Sequence, residues 1–244
     1  MGGVSTILLE RKIDDLKKVS IMAIRLEKGQ RINLEKETGA KLTNFCVGCN
    51  WGAVVKKTFF GMRSSNVDVD LDLSCLMFDA EGKPIDHIYS PLYQFGNRGI
   101  GLPNGKLDSG DRALHHTGDD QKGDQDGDDG LDNEIITVDL TRVSPQTNSI
   151  VFFLNIYNND DFGGDFSEIP YASIRMYEGT ATKVKSVYAQ YDVATKDSCR
   201  GMRALVMGKL YRRDGEWKFA AIGDAFEDKN IVLTIARVMK DYNK

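Results

Sequence analysis

From Val67 to Leu73 the chain reads Val-Asp-Val-Asp-Leu-Asp-Leu, a strict alternation of apolar and acidic side chains. This is the period of a half-buried strand. Val67, Val69, Leu71 and Leu73 are predicted to enter a core, and Asp68, Asp70 and Asp72 to project from the other face, neighbours there standing roughly 6.5–7 Å apart, twice the rise per residue. Aspartate is a poor strand former, so three in succession on one face need a reason. Either solvent covers that face or a bound cation does.

A second acidic element favours the cation. Between Asp119 and Glu134, half of the residues are acidic and Lys122 alone is basic. Carboxylates this close repel one another and raise one another's pKa unless a cation sits among them. Gly123, Gly127 and Gly130 let the segment fold tightly around one. Calcium suits such a loop, because it takes six to eight hard oxygen ligands in a flexible cage, whereas magnesium demands a stricter octahedron and keeps its waters. The residues alone make Asp68, Asp70, Asp72, Asp119, Asp120, Asp124, Asp126, Asp128 and Asp129 the ligand candidates for one or two ions. An EF-hand is excluded on spacing: counting from Asp124, the sixth position is Asp129 instead of Gly and the twelfth is Ile135 instead of Glu. The competing reading of each block is a solvated acidic surface.

Four blocks then resemble one family, the TerD family of tellurite-resistance and stress-response proteins, over most of the chain, from Met22 to about Phe226. Met22 to Leu34, with its Leu-Glu-Lys-Gly core, is similar to the family's opening, and Val47-Gly48-Cys49-Asn50-Trp51 to its V-G-L-G-W strand. Asp68 to Ser74 resembles D-x-D-L-D-A-S, and His116-Thr117-Gly118-Asp119-Asp120 onward resembles H-T-G-D-N followed by a G-D-G-D-D-E run. Gly208 to Phe219 is similar to G-E-L-Y-R-x-x-G-E-W-K-F. The resemblance implies an all-β fold, a β-sandwich that binds calcium through the two acidic blocks. On its motifs fall Asp70, Asp72 and Ser74, then Asp119 and Asp120, then Asp126, Asp128 and Asp129. The family's final Glu falls on Gly130 without a gap, and on Glu134 if 130–133 is an insertion. Leu73 stands where the family has a small Ala, and Asp120 replaces Asn, which adds a charge.

The remaining chain is consistent with one large all-β domain. Its 244 residues need no second core, so a TerD-like sandwich with a C-terminal helix is expected over 22–244 and a helical extension over 1–21. Strands are expected at 41–55, 67–78, 135–140, 150–157, 172–177, 185–191, 203–211 and 216–222, the last two joined by the turn pair Asp214-Gly215. Helical spacing appears only at the ends, in Leu9, Ile13 and Leu16 and in Ile231, Ile235, Val238 and Tyr242. Cys46 and Cys49, three apart on a strand, face opposite sides and cannot share a metal or close a disulfide; with Cys75 and Cys199 they read as packed core thiols. The glycine-rich stretch Phe95 to Gly110 reads as a flexible loop lacking the dinucleotide fingerprint, and Asn158 to Asp165 as a turn. A net charge of −4 argues against nucleic acid as the main partner. The absence of an apolar run of about 18 residues argues against a membrane span, and charges at Glu10, Arg11, Lys12, Asp14 and Asp15 against a secretory signal. A cytoplasmic protein is expected.

Three function classes follow. The first is a non-enzymatic calcium-binding module of a stress or tellurite-resistance system. Its ion-ordered loops act on a protein partner, other tellurite-resistance proteins at the membrane included. The second is a calcium-dependent membrane-surface module, for which Phe95, Arg98 and Arg112 are the nearby rim residues. The third is a metal-dependent hydrolase with His115 or His116 as base.

Overall fold

The computed structural model describes residues 24–25, 28–35, 39–58, 63–96, 98–157, 162–192 and 199–244. The 1–21 extension with its Leu9, Ile13 and Leu16 stripe, together with Asp160 and Asp161, lies outside the described residues. Among the described residues, fourteen strands and one α-helix follow in chain order, with a 3-10 turn at Phe166–Glu168: β1 Ile24–Arg25, β2 Arg31–Asn33, β3 Asn44–Trp51, β4 Val54–Thr58, β5 Arg63–Val67, β6 Leu71–Phe78 and β7 Pro84–Ile88. Next are β8 Leu114–His116, β9 Glu134–Asp139, β10 Ser149–Ile156, β11 Ala172–Thr180, β12 Lys183–Asp192, β13 Ala204–Arg213, β14 Glu216–Phe226 and the helix α1, Ile231–Asp241.

The strands form two six-stranded sheets and a separate hairpin. One sheet has the order β1-β12-β11-β3-β9-β8 and the other β2-β14-β13-β10-β6-β7, while β4 pairs with β5. Pairing is antiparallel except between β1 and β12. The sandwich core lies between the sheets: Val47, Cys49 and Trp51 of β3 and Ile136 and Val138 of β9 meet Leu71, Leu73 and Cys75 of β6 and Phe152 and Leu154 of β10. Asp214 and Gly215 both have positive φ, at 54° and 78°, the backbone a two-residue hairpin of the primed type requires. Cys46 faces the outer cluster with Tyr177 while Cys49 enters the core, so the two thiols point to opposite faces, and Cys46, Cys49 and Cys75 are free thiols.

Helix α1 covers the outer face of the second sheet. Ile231, Ile235 and Val238 recur at helical spacing and pack on Leu76, Phe78, Phe153 and Val206, which helps to bury β6 and β10 on both faces. Asn155 Nδ2 donates to Thr234 Oγ1 at 2.6 Å within this contact. The helix starts at Asn230, whose side chain accepts from Leu233 N–H at 3.2 Å. Asn230→Ala is expected to lower stability by about 1 kcal/mol, the usual value of such a cap; a urea midpoint identical to the parent's would mean the cap contributes nothing. No helix among the described residues is long and apolar enough to cross a membrane.

Two sequence expectations change. The alternating run is not one strand from 67: β5 ends at Val67, residues 68–70 are irregular, and β6 begins at Leu71. The reason is that Trp51 Nε1 donates to Val69 O at 2.7 Å and Tyr157 N–H to Asp70 O at 2.8 Å, which pins the connection between the hairpin and β6. The glycine-rich stretch after Phe95 is a packed return as well as a loop: Gly105 N–H donates to Tyr93 O, Lys106 N–H to Tyr89 O, and Tyr89 OH to Pro103 O.

Candidate metal centre

The first carboxylate cluster sits where β6 lacks a neighbour. β7 joins β6 only from Cys75 onward, so the backbone around Leu73 must find partners elsewhere. Side chains of the opposite sheet supply them. Glu134, the first residue of β9, accepts from Leu73 N–H with Oε2 at 2.6 Å and from Asp120 N–H with Oε1 at 3.2 Å. His116 at the end of β8 reaches Leu73 O through Nε2 at 3.1 Å, and its Nδ1 accepts from Gly118 N–H at 3.0 Å. Those two bonds assign the neutral Nε2–H tautomer, and burial lowers the imidazole pKa to about 4. His116 is therefore a structural clasp between the sheets, not an available base, and His115 is tied through Nδ1 to Asp108 at 2.9 Å.

Asp72, Asp119 and Glu134 each turn a carboxylate oxygen into this space, all within 4.8 Å of one another. Burial, then Glu134 and Asp70, hold the Asp72 carboxyl well above its ordinary pKa, and burial does the same for Glu134 against the two backbone amides it accepts. Asp70 is raised to about 7 by burial and by Asp119 and Asp120. Its Oδ1 is buried with no hydrogen-bond partner. Ser74 is two residues beyond Asp72 on the same strand, its hydroxyl buried and likewise without a partner.

A second cluster forms along the acidic loop, where Asp124, Asp128 and Asp129 bring oxygens within 4.8 Å of one another. Trp51 builds this loop. Its carbonyl accepts from Asp124 N–H at 2.9 Å, and its indole packs against Gly123, where a Cβ would stand 2.5 Å from the ring. Gly123, Gly127 and Gly130 all have positive φ, as a tight acidic loop requires. Asp126 is exposed and belongs to neither cluster, and Asp68 accepts from Gln125 Nε2 at 3.3 Å outside both. Asp120 accepts from Lys122 N–H and Gly123 N–H through Oδ1, which shapes the turn between the clusters.

Four supporting residues have no signature in the spacing of the acids, and three of them, Asn50, Tyr93 and Tyr171, come from other parts of the chain. Asn133 donates to Asp120 Oδ2 and Asp124 Oδ1, both at 3.1 Å, and its Oδ1 accepts from Trp51 N–H, so one amide ties both clusters to β3. Asn50 donates to Asp128 Oδ1 at 2.9 Å, Tyr171 OH to Asp124 Oδ2 at 2.8 Å, and Tyr93 OH to Asp72 Oδ2 at 2.5 Å. Only the type and not the position of these groups was available beforehand: buried carboxylates need donors.

The donor set fits a hard cation. Clustered carboxylates whose protonation is favoured by burial and mutual repulsion, with a buried carboxylate oxygen left unpartnered, are what an oxygen-ligated divalent ion would relieve. Phe95, by contrast, is buried beneath the 91–100 loop and offers no exposed aromatic rim.

Comparison with known proteins agrees with the motifs. The TerD domain model matches residues 22–236. The chain is 34% identical to stress response protein SCP2 of Bacillus subtilis over 88% of this chain and 99% of that protein. It is 30% identical to tellurium resistance protein TerZ of Serratia marcescens over 85% of this chain and 93% of that one. A crystal structure of a homologue of telluride resistance protein (TerD) from Streptomyces coelicolor A3(2) superposes with a TM-score of 0.54 at 15% identity, covering 83% of this chain and 98% of that one, and so shares the fold. Motifs, sheet order and relatives together make this chain a member of the TerD-domain family.

Proposed function

We propose that the protein is a non-enzymatic calcium-binding module of a stress or tellurium-resistance system, which acts on a protein partner through the loops that its two carboxylate clusters organise. The observation that carries this reading is the pairing of Asp72, Asp119 and Glu134 in a largely buried cluster with Asp124, Asp128 and Asp129 in a more exposed one. Asn133 joins the loops that bear them. Asp70, with its unpartnered oxygen, and Asp120 are further candidate donors beside the first cluster. A bound ion would supply the charge neutralisation that the cluster lacks; the chain's own residues set the loop shape that results.

The reading against an enzyme rests on the histidines. Both ring nitrogens of His116 are engaged, which leaves no free histidine base at the buried cluster. Isothermal titration of chelator-treated protein is expected to show one or two calcium ions bound, with magnesium much weaker; absent heat with calcium, or equal affinity for magnesium, would refute it. The family relationship supplies the setting, since relatives carry the names tellurium resistance protein and stress response protein.

A further inference from the structure

Beside the buried cluster runs an apolar groove of about 510 Å³ between the 91–100 loop and the first turn of α1. Its walls carry Leu92, Ile100, Tyr157 and Leu233, exposed at 64, 44, 43 and 48% respectively. Large apolar side chains exposed together mark an interaction surface, whereas single ones need no explanation. The polar lining is as informative. Among the described residues that line the groove, Arg98 is the one that carries a charge and none is an acid, in a chain with 36 acidic residues.

Tyr93 connects this groove to the ion cluster. Its hydroxyl donates to Asp72, and its ring stacks on Phe95 at 5.4 Å and meets Tyr157 edge-on at 5.9 Å. Tyr157 in turn donates its N–H to Asp70 O. One aromatic side chain thus lies against the groove and against a cluster carboxylate at once. An ion that takes Asp72 Oδ2 shares that oxygen with the Tyr93 hydroxyl, so ion occupancy bears directly on the bond that orients the ring.

We propose that the groove docks an amphipathic segment of a partner protein, its aliphatic side chains against Leu92, Ile100 and Leu233 and a flanking carboxylate on Arg98, and that Tyr93 couples this docking to ion occupancy. The assignment of the partner's chemistry comes from charge complementarity: a lone guanidinium at an apolar groove rewards an anion and penalises a second cation. The coupling rests on calcium binding at the Asp72 cluster; the groove itself does not.

The test uses the full chain with anilinonaphthalene sulfonate, an apolar ring system bearing one anion, and its uncharged analogue N-phenylnaphthylamine. Arg98→Gln is expected to weaken the sulfonate probe about tenfold and leave the neutral one unchanged, Leu233→Ser to weaken both, and Ile85→Ser, exposed elsewhere, to weaken neither. A synthetic helical peptide with a leucine face and a flanking glutamate should displace the probe at lower concentration than its lysine counterpart. Calcium should change probe affinity in the parent and not in Tyr93→Phe. Probe binding unaltered by Arg98→Gln and Leu233→Ser overturns the groove. So does a groove that instead serves phosphatidylserine vesicles or self-association, seen as either one being lost in Leu233→Ser. Calcium heat without any change in probe affinity overturns the coupling alone, and absent calcium heat overturns the ion reading while the two variants still decide the groove.

Discussion

Glu134→Gln is expected to abolish the thermal stabilisation by calcium while leaving the chelated protein as stable as the parent or more so. Glu134 is fully buried, and its carboxylate shares a small space with Asp72 and Asp119. Gln keeps one acceptor oxygen, for Leu73 N–H, and removes the charge, so the sheet clasp survives, and relief of the repulsion on Asp72 offsets the acceptor that the part-buried Asp120 N–H loses. A ligand that binds only the folded state stabilises by about 2.7 kcal/mol at a hundredfold excess over Kd, and loss of a buried charged ligand should remove nearly all of it. Glu134→Ala separates the two roles of the side chain. It leaves Leu73 N–H buried without a partner, which costs about 1–3 kcal/mol in the absence of any ion. Melting of both variants with calcium and with chelator decides the matter, and a Glu134→Gln protein that retains calcium affinity within about threefold, roughly 0.65 kcal/mol, would remove Glu134 from the site.

The position of Glu134 also illustrates what could be read from the chain and what could not. Periodicity located the strands that build the core because burial on one face leaves an alternating trace, and the Asp214-Gly215 pair located a hairpin through its backbone requirement. Short edge strands such as β1, β2, β7 and β8 left no such trace, since their pairing partners supply what their own pattern does not. The Asp68-to-Asp72 alternation overstated the strand because the tie of Val69 O to Trp51 is a contact over 18 positions in sequence. Composition marked the acidic loop as a store of candidate oxygen ligands, yet not its division into two clusters, which depends on β9 lifting Glu134 away from Asp128 and Asp129 and toward β6. Asn133, lying in the segment that breaks the family motif, holds the halves together. An insertion judged by motif alignment as an interruption is, in three dimensions, the strut.

The apparent calcium affinity is expected to rise steeply with pH, by about tenfold between pH 6 and pH 8 from Asp70 alone. In the ion-free protein Asp70 has its pKa raised to about 7, chiefly by burial, and Asp72 and Glu134 are raised well above the ordinary carboxylate range. Each of these groups has a folded-state pKa above its unfolded value, so its contribution to ion-free stability is fully present below about pH 4 and is lost as pH rises through the folded pKa. For Asp70 the shift from 3.8 to about 7 amounts to about 4 kcal/mol at most, on the scale of 1.36 kcal/mol per pKa unit. His116 acts in the opposite sense, because its pKa is lowered to about 4 and its contribution is lost as pH falls from about 6.5. A single melting curve therefore mixes both. The difference between calcium-loaded and chelated protein isolates the carboxylates, since His116 contributes to both and only the carboxylates exchange protons for the ion. Asp70→Asn should flatten the pH 6 to 8 portion of that difference while preserving the remainder due to Asp72 and Glu134. Isothermal titration across this range in buffers of different ionisation heat counts the protons released, and an affinity that stays constant from pH 6 to 8 with no proton release would mean that Asp70 is already ionised and that the ion, if bound, lies elsewhere.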